Sequence, residues 1–281
     1  MRKNLLLLLI LGIVTIGLTA ACMSNTGERE VKVKIHTTMG DMVVKLYNET
    51  PKTRDNFIKL VKSKFYDSTL FHRVIQTFMV QAGDPGSKKA APGVMLGNGD
   101  IGYTVPAEFV PTLFHKKGAL AMARQGDDVN PTKASSGCQF YIVQGKTFTN
   151  DELNTIEQRM NMGVKQQIFT QIINQPAYAE MKKKFVQFQN QSNIDSLQAL
   201  TKKIEPKIDS MYAKASKFTF TAEERQAYTT VGGAPHLDGN YTVFGEVVEG
   251  LDIIDKIAAT PVDKNDRPLQ DVKILSMEIM N

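Results

Sequence analysis

Two periods run along this chain. Up to about residue 144, and again after residue 228, the apolar segments are short and tend to alternate with polar positions, as strands with one buried face do. Between them apolar residues recur every three or four positions, the spacing of amphipathic helices. Val33, Ile35, Val43, Val44 and Leu46 predict a hairpin over 31–46 that turns at Thr38-Met39-Gly40-Asp41. Thr50 and Pro51 open a helix over 51–62, with Thr50 as its cap and Phe57, Leu60 and Val61 on one face. Strands are expected at 70–75, 79–82, 119–124, 139–143, 241–248 and 272–280, with a short helix over 251–258. Residues 83–103 are glycine-rich and carry Lys88-Lys89, but the GxxxxGK[ST] spacing is missing and no helix-forming run follows. They read as a surface loop, not a phosphate cradle.

The middle stretch, 145–227, shifts toward Gln, Lys, Met and Asn. Leu153, Ile156, Met160, Val164, Ile168 and Ile172 mark one helical stripe. Tyr178, Met181, Phe185 and Phe188 mark a second, which Pro176 is placed to open. Ile194, Leu197, Leu200, Ile204, Ile208, Met211 and Ala215 mark a third, which Pro206 should kink or split. The Thr221-x-x-Glu224 spacing is a capping box for a short fourth helix. The stripes are expected to pack on each other and on the β part. The alternative is a Met- and Phe-rich surface left open to hold client chains.

The N-terminus reads as an export signal over 1–21. Arg2-Lys3 precede an apolar run over 5–18, too short to span a membrane comfortably, and Leu18-Thr19-Ala20-Ala21 lead into Cys22. A cysteine after small residues resembles a bacterial lipobox, with Thr19 where leucine is usual, and Cys22 would then be acylated. Ordinary secretory cleavage in the same small-residue run is the alternative. Residues 22–30 would be a polar tether.

Composition narrows the remaining classes. The chain has 281 residues, 42% of them hydrophobic, which suits a large globular fold. A net charge of +5 with no basic stripe between aromatics gives no case for nucleic acid. Cys22 and Cys138 do not make a disulfide framework. His72 and His115 lack ligand spacing, so no metal site is expected. Cys138, a lone thiol on a strand with no matched histidine, reads as a small buried residue and not a nucleophile.

Candidate chemistry gathers in Phe71-His72-Arg73 and Phe78-Met79-Val80-Gln81-Ala82-Gly83-Asp84. A guanidinium among large apolar side chains, with an amide beside it, suits a neutral apolar ligand with a carbonyl to polarise. The plainer reading is an edge strand whose Arg73 reaches to water. These residues resemble the active-site signature of the cyclophilins, the peptidyl-prolyl cis/trans isomerases. Three further blocks follow in the family's order: Gly118-Ala119-Leu120-Ala121-Met122-Ala123-Arg124, Ser135-Ser136-Gly137-Cys138-Gln139-Phe140-Tyr141-Ile142, and His236-Leu237-Asp238-Gly239-Asn240-Tyr241-Thr242-Val243-Phe244-Gly245.

The resemblance implies a mainly β protein: a closed antiparallel eight-stranded barrel capped by two helices, in two parts, 31–144 and 228–281, around the helical insertion at 145–227. It implies an isomerase with Arg73 and Gln81 as catalytic groups. Phe78, Met79, Tyr141, Leu237 and Tyr241 would form a proline pocket, Arg124 would contribute backbone groups, and Met122, Ala123 and Gln139 would line the neighbouring subsite. The family more often has Phe at the position of Tyr141 and His at that of Tyr241. His236 stands where many eukaryotic members have Trp; it is either a weak substitute at the inhibitor cyclosporin's contact or a plain surface histidine. No cofactor follows. The expected partners are unfolded or proline-containing polypeptides, met outside the cytoplasm by a lipid-anchored monomer at a bacterial membrane. A module that only grips proline segments, and a scaffold lipoprotein, are the competing classes.

Overall fold

The alternating stretches build one antiparallel sheet. In the computed structural model, which describes residues 30–280, the strands and helices are β1 (Lys32–Thr37), β2 (Gly40–Leu46), α1 (Pro51–Lys62), β3 (Arg73–Ile75), β4 (Met79–Ala82), β5 (Thr104–Val105), β6 (Ala119–Met122), β7 (Ser135–Ser136), β8 (Phe140–Val143), α2 (Asn150–Ile173), α3 (Ala179–Asn190), α4 (Ile194–Lys214), α5 (Ala222–Thr230), β9 (Val243–Glu249), α6 (Leu251–Ala258) and β10 (Ile274–Met280). The export signal and Cys22 lie outside the described residues. Eight strands join in the order β10-β1-β2-β9-β6-β8-β4-β3, and β5 pairs with β7 apart from them. The sheet curls into an open half-barrel. No strand ladder joins its two end strands, β3 and β10. The two ends approach through a single bridge, Leu70 to Lys273. Beside it the Phe71 N–H donates to the Val272 carbonyl and the Ile274 N–H to that of Thr69.

The concave face holds the main core. Ile35, Met42, Leu120, Phe140, Ile142 and Phe244 from the strands meet Phe57, Leu60 and Val61 of α1 and Ile253, Ile254 and Ile257 of α6. Both helices lie where their apolar stripes put them.

The cap of α1 differs from expectation. Thr50 stands at the N-cap, but its side chain makes no capping bond, and its buried hydroxyl has no partner among the described residues. Instead the Glu108 carboxylate, from a distant loop, accepts from the N–H groups of Lys52 and Thr53 at 3.1 and 2.8 Å. An acid at a helix start satisfies orphan donors and opposes the macrodipole. Glu108→Ala is therefore expected to cost about 1 kcal/mol in urea unfolding, as loss of a cap does. Thr50→Val should cost nothing comparable; the reverse order would refute this assignment.

Helices α2 to α5 occupy most of the middle stretch, and α5 runs three residues beyond 227. Ile168 and Ile172 of α2 pack on Ile204 and Ile208 of α4, with Met181 and Phe185 of α3 against them. α4 is not split: Pro206 lies inside one continuous helix. Buried Ile204 and Ile208 flank the proline and hold both halves against α2. The expected capping box of Thr221 and Glu224 opens α5, and a second, Thr149 with Glu152, opens α2. A separate apolar cluster of Phe114, Leu153, Phe220 and Tyr228 roots these helices on the β part. Among the described residues no helix is long and apolar enough to cross a membrane.

Candidate active site

Side-chain alternation divides each central strand between the core and the outer face. On β4, Val80 and Ala82 enter the core while Met79 and Gln81 face outward; on β8, Phe140 and Ile142 enter while Tyr141 and Val143 face outward. β3 pairs with β4 so that Arg73 lies directly opposite Gln81. A cleft of about 320 Å³ opens on this outer face, and Arg73, Gln81, Phe78, Met79, Ala123, Arg124, Tyr141, Leu237 and Tyr241 line it.

Hydrogen bonds fix the polar side of the cleft in sequence. The Gln139 amide donates to the carbonyls of Gly97 and Gly99 at 2.9 and 2.7 Å. Its oxygen is thereby turned to accept from Gln81 Nε2 at 3.0 Å. The Gln81 oxygen is left facing Arg73, whose Nη1 donates to it at 3.4 Å. Asp266 stands 3.8 Å from Arg73 Nε. The Arg73 side chain is 44% exposed and lines the cleft, and its planar fork carries five N–H donors.

Aromatic rings make the apolar side. Tyr141 and Tyr241 meet edge to face at 5.9 Å, and the Arg124 guanidinium lies over the Tyr241 ring at 4.6 Å. Arg124 is committed there, donating to the Asn240 carbonyl at 2.8 Å and pairing with Asp127 at 2.6 Å. His236 packs on Phe78 with ring centres 5.3 Å apart. Burial, and then His115 nearby, hold the His236 imidazole below its ordinary pKa.

One wall was not legible in the sequence. Residues 94–98 of the glycine-rich loop also line the cleft. Two buried charges hold that loop. Asp84 accepts from the N–H groups of Gly86 and Gly97 at 2.7 and 2.5 Å. Arg267 donates to the carbonyls of Ala91 and Val94 at 2.9 and 2.7 Å. Gly83, at φ +95°, turns the chain into this loop, and a side chain there would strike the Cys138 backbone. Asp84 belonged to the quoted motif, whereas Arg267 lay outside every block.

The expected site residues are mostly brought together, with one adjustment. Met122 belongs to the core: it follows Ala121 on β6, so alternation sends it to the inner face, and Ala121 and Ala123 lie on the outer one. Gln139 sits where it is expected, in a depression that adjoins the cleft and that Gly99, Tyr103, Ala123 and Ser136 also line. His236 stands at the rim, on Phe78. Burial pushes the Cys138 thiol up to about 11, leaving it unionised. Among the described residues no group of His, Cys, Asp and Glu could hold a metal ion.

His72, beside Arg73, is a residue with a consequence for pH. It is buried at the cleft's edge and neither ring nitrogen has a partner among the described residues. Burial holds its pKa below the usual 6.5. Below pH 6.5 the unfolded chain binds a proton that the folded chain resists, so stability falls as pH drops through that range and levels off below the folded pKa. Melts of wild type and His72→Gln from pH 8 to 5 should show the wild type losing more stability on acidification. A difference independent of pH would contradict the neutral buried state.

An open antiparallel half-barrel thus carries an arginine, an amide and an aromatic cleft on its outer face. The family model for cyclophilin type peptidyl-prolyl cis-trans isomerase/CLD matches residues 32–193 and 208–279, reaching into the helices beyond the quoted motifs. A protein of Staphylococcus aureus (strain USA300) named "Putative peptidyl-prolyl cis-trans isomerase" is 32% identical over 253 residues, covering 90% of this chain and 93% of that one. A relative of the same name from Staphylococcus epidermidis is also 32% identical over 253 residues. The crystal structure of a Cryptosporidium parvum cyclophilin type peptidyl-prolyl cis-trans isomerase shares the fold, with a TM-score of 0.50 at 19% identity over 90% of this chain and 98% of that one. The chain belongs to the cyclophilin-type peptidyl-prolyl cis-trans isomerase family.

Proposed function

We propose that the outer cleft accelerates rotation about Xaa-Pro bonds and that Arg73 is the group that does it. The bond resists rotation, with a barrier near ~20 kcal/mol, because the nitrogen lone pair is delocalised into the carbonyl. As the bond twists, that pair localises on the prolyl nitrogen and becomes a hydrogen-bond acceptor. A guanidinium N–H donated there stabilises the twisted state and not the planar one, which is the condition for catalysis. No covalent step or cofactor is required. Phe78, Met79, Tyr141, Leu237 and Tyr241 receive the proline ring, Gln81 orients Arg73 or bonds the substrate carbonyl, and the backbone around Arg124 holds the preceding residue.

The observation that carries this reading is the Arg73–Gln81–Gln139 series of bonds along one edge of an apolar cleft. Its volume suits a proline with its neighbours, at the low end of ligand pockets. The test is refolding of a protein whose slow phase is limited by a proline, which relaxes over tens of seconds unaided. Substoichiometric wild type should shorten that phase at least severalfold, and an unchanged phase would sink the proposal.

The substrates are proposed to be exported or unfolded chains, met at a membrane. Arg2-Lys3, the apolar run and Cys22 support export followed by lipid attachment at Cys22. Wild type should then fractionate with membranes and Cys22→Ser should not. Equal fractionation would refute the anchor. The division into a β domain, 31–144 with 228–281, and a helical insertion, 145–227, is supported by the separate apolar cluster of α2, α3 and α4.

A further inference from the structure

Tyr141 has a hydroxyl that the proline pocket does not use. Its ring forms part of the cleft, stacked on the His115 ring at 6.0 Å, and its oxygen lies 2.9 Å from His115 Nε2, away from the cleft. A buried hydroxyl needs a partner, and this one opens onto a longer series. His115 Nδ1 lies 2.8 Å from Asp238 Oδ1, and the His115 backbone N–H donates to the same oxygen at 2.9 Å. The Tyr228 hydroxyl donates to the other oxygen, Oδ2, at 2.5 Å. A carboxylate oxygen accepts, so the Nδ1–H of His115 donates to Asp238, which leaves Nε2 paired with the Tyr141 hydroxyl.

The far end of the series lies in the helical stretch. Tyr228 is on α5, is fully buried, and packs edge to face with Phe114 and Phe220, in one cluster with Leu153 of α2. The near end lies in the cleft, and Asp238 directly follows Leu237, one of its walls. His115, Asp238 and Tyr228 themselves do not line the cleft. Every bond in the series is shielded from water, where an unpaired member is costly and its neighbours reorient.

We infer that His115, Asp238 and Tyr228 are positioning residues that couple α5 and the root of the helical insertion to the orientation of Tyr141 in the cleft. The insertion then helps set the shape of the proline pocket. This rests on the reading of the cleft as an Xaa-Pro site, but the coupling itself has a readout that needs no turnover.

The experiment uses the whole folded chain with NMR-labelled tyrosine, the Tyr141 ring signals being assigned with Tyr141→Phe. Tyr228→Phe removes one remote hydroxyl and keeps the ring. It is expected to shift the Tyr141 signals and to lower kcat/KM for a short Xaa-Pro peptide by roughly three- to tenfold. The double variant Tyr228→Phe/Tyr141→Phe should lose no more than the worse single variant, because both break one series. Reciprocity supplies a measurement without any variant: titrating that peptide into wild type should move the Tyr228 signals. Unmoved Tyr141 signals in Tyr228→Phe, losses that multiply in the double variant, or Tyr228 signals indifferent to saturating peptide would each overturn the inference. Absence of isomerisation by wild type would instead overturn the isomerase reading, with the Tyr141 shift in Tyr228→Phe still reporting on the coupling.

Discussion

Arg73→Ala is expected to lower kcat/KM for a short Xaa-Pro peptide by roughly 10²- to 10³-fold, the loss seen when a preorganised transition-state donor is removed. Peptide affinity should change far less, because the donor meets an acceptor only when the bond is twisted. The apolar contacts that hold the ring come from Phe78, Met79, Tyr141, Leu237 and Tyr241, all of which remain. Arg73→Lys should recover little. Lysine keeps the charge but loses the planar fork that lets one edge engage Gln81 and another face the cleft. Gln139→Leu should fall between: it touches neither reacting atom, but it frees the Gln81 amide to flip and present N–H to the guanidinium. If Arg73→Ala lowered affinity and kcat/KM by the same factor, Arg73 would be a binding group and not the proposed donor.

The largest effect on stability is expected at Phe57. It is completely buried on α1 and its ring meets Tyr66, Phe140 and Phe244 at 5.1, 5.5 and 5.2 Å. It joins the helix to the concave face, directly behind the strand that carries Tyr141. Phe57→Ala should cost about 3–5 kcal/mol from lost burial and an incompletely collapsed cavity. For a chain of this size the melting point should fall by roughly 10 °C. Activity per folded molecule should hold, since Phe57 faces the core and not the cleft. A cost under about 1 kcal/mol would mean that α1 is not seated as described.

What could be read beforehand was local. α1, β4 and α6 span the residues expected from Pro51 at the helix start, from the alternation at Met79–Ala82 and from the apolar stripe at 251–258. Thr221 and Glu224 cap α5 because a capping box is closed by residues three apart. Most of the differences involve partners distant in sequence. Glu108 takes over the cap of α1 from 55 or more positions away, and no local pattern announces it. Arg267 holds the cleft wall at 94–98 from the other end of the chain. Motif position puts Met122 in the neighbouring subsite, whereas strand alternation, one residue on from Ala121, turns it into the core. Pro206 is tolerated in α4 because tertiary packing outweighs the local cost. In the sequence His115 shows only that it lacks metal-ligand spacing. Its pairing with Asp238, across more than a hundred residues, became visible only in the fold.

The most direct test is exchange NMR on a short peptide whose one Xaa-Pro bond gives separate cis and trans resonances. Unaided, those resonances exchange too slowly to produce cross-peaks within a second. With substoichiometric wild type, cis–trans cross-peaks are expected at sub-second mixing times, and with Arg73→Ala at the same concentration they should vanish while peptide binding persists. Cross-peaks of equal strength for the two proteins would contradict the assignment of Arg73, and none for folded wild type would contradict the proposed catalysis altogether.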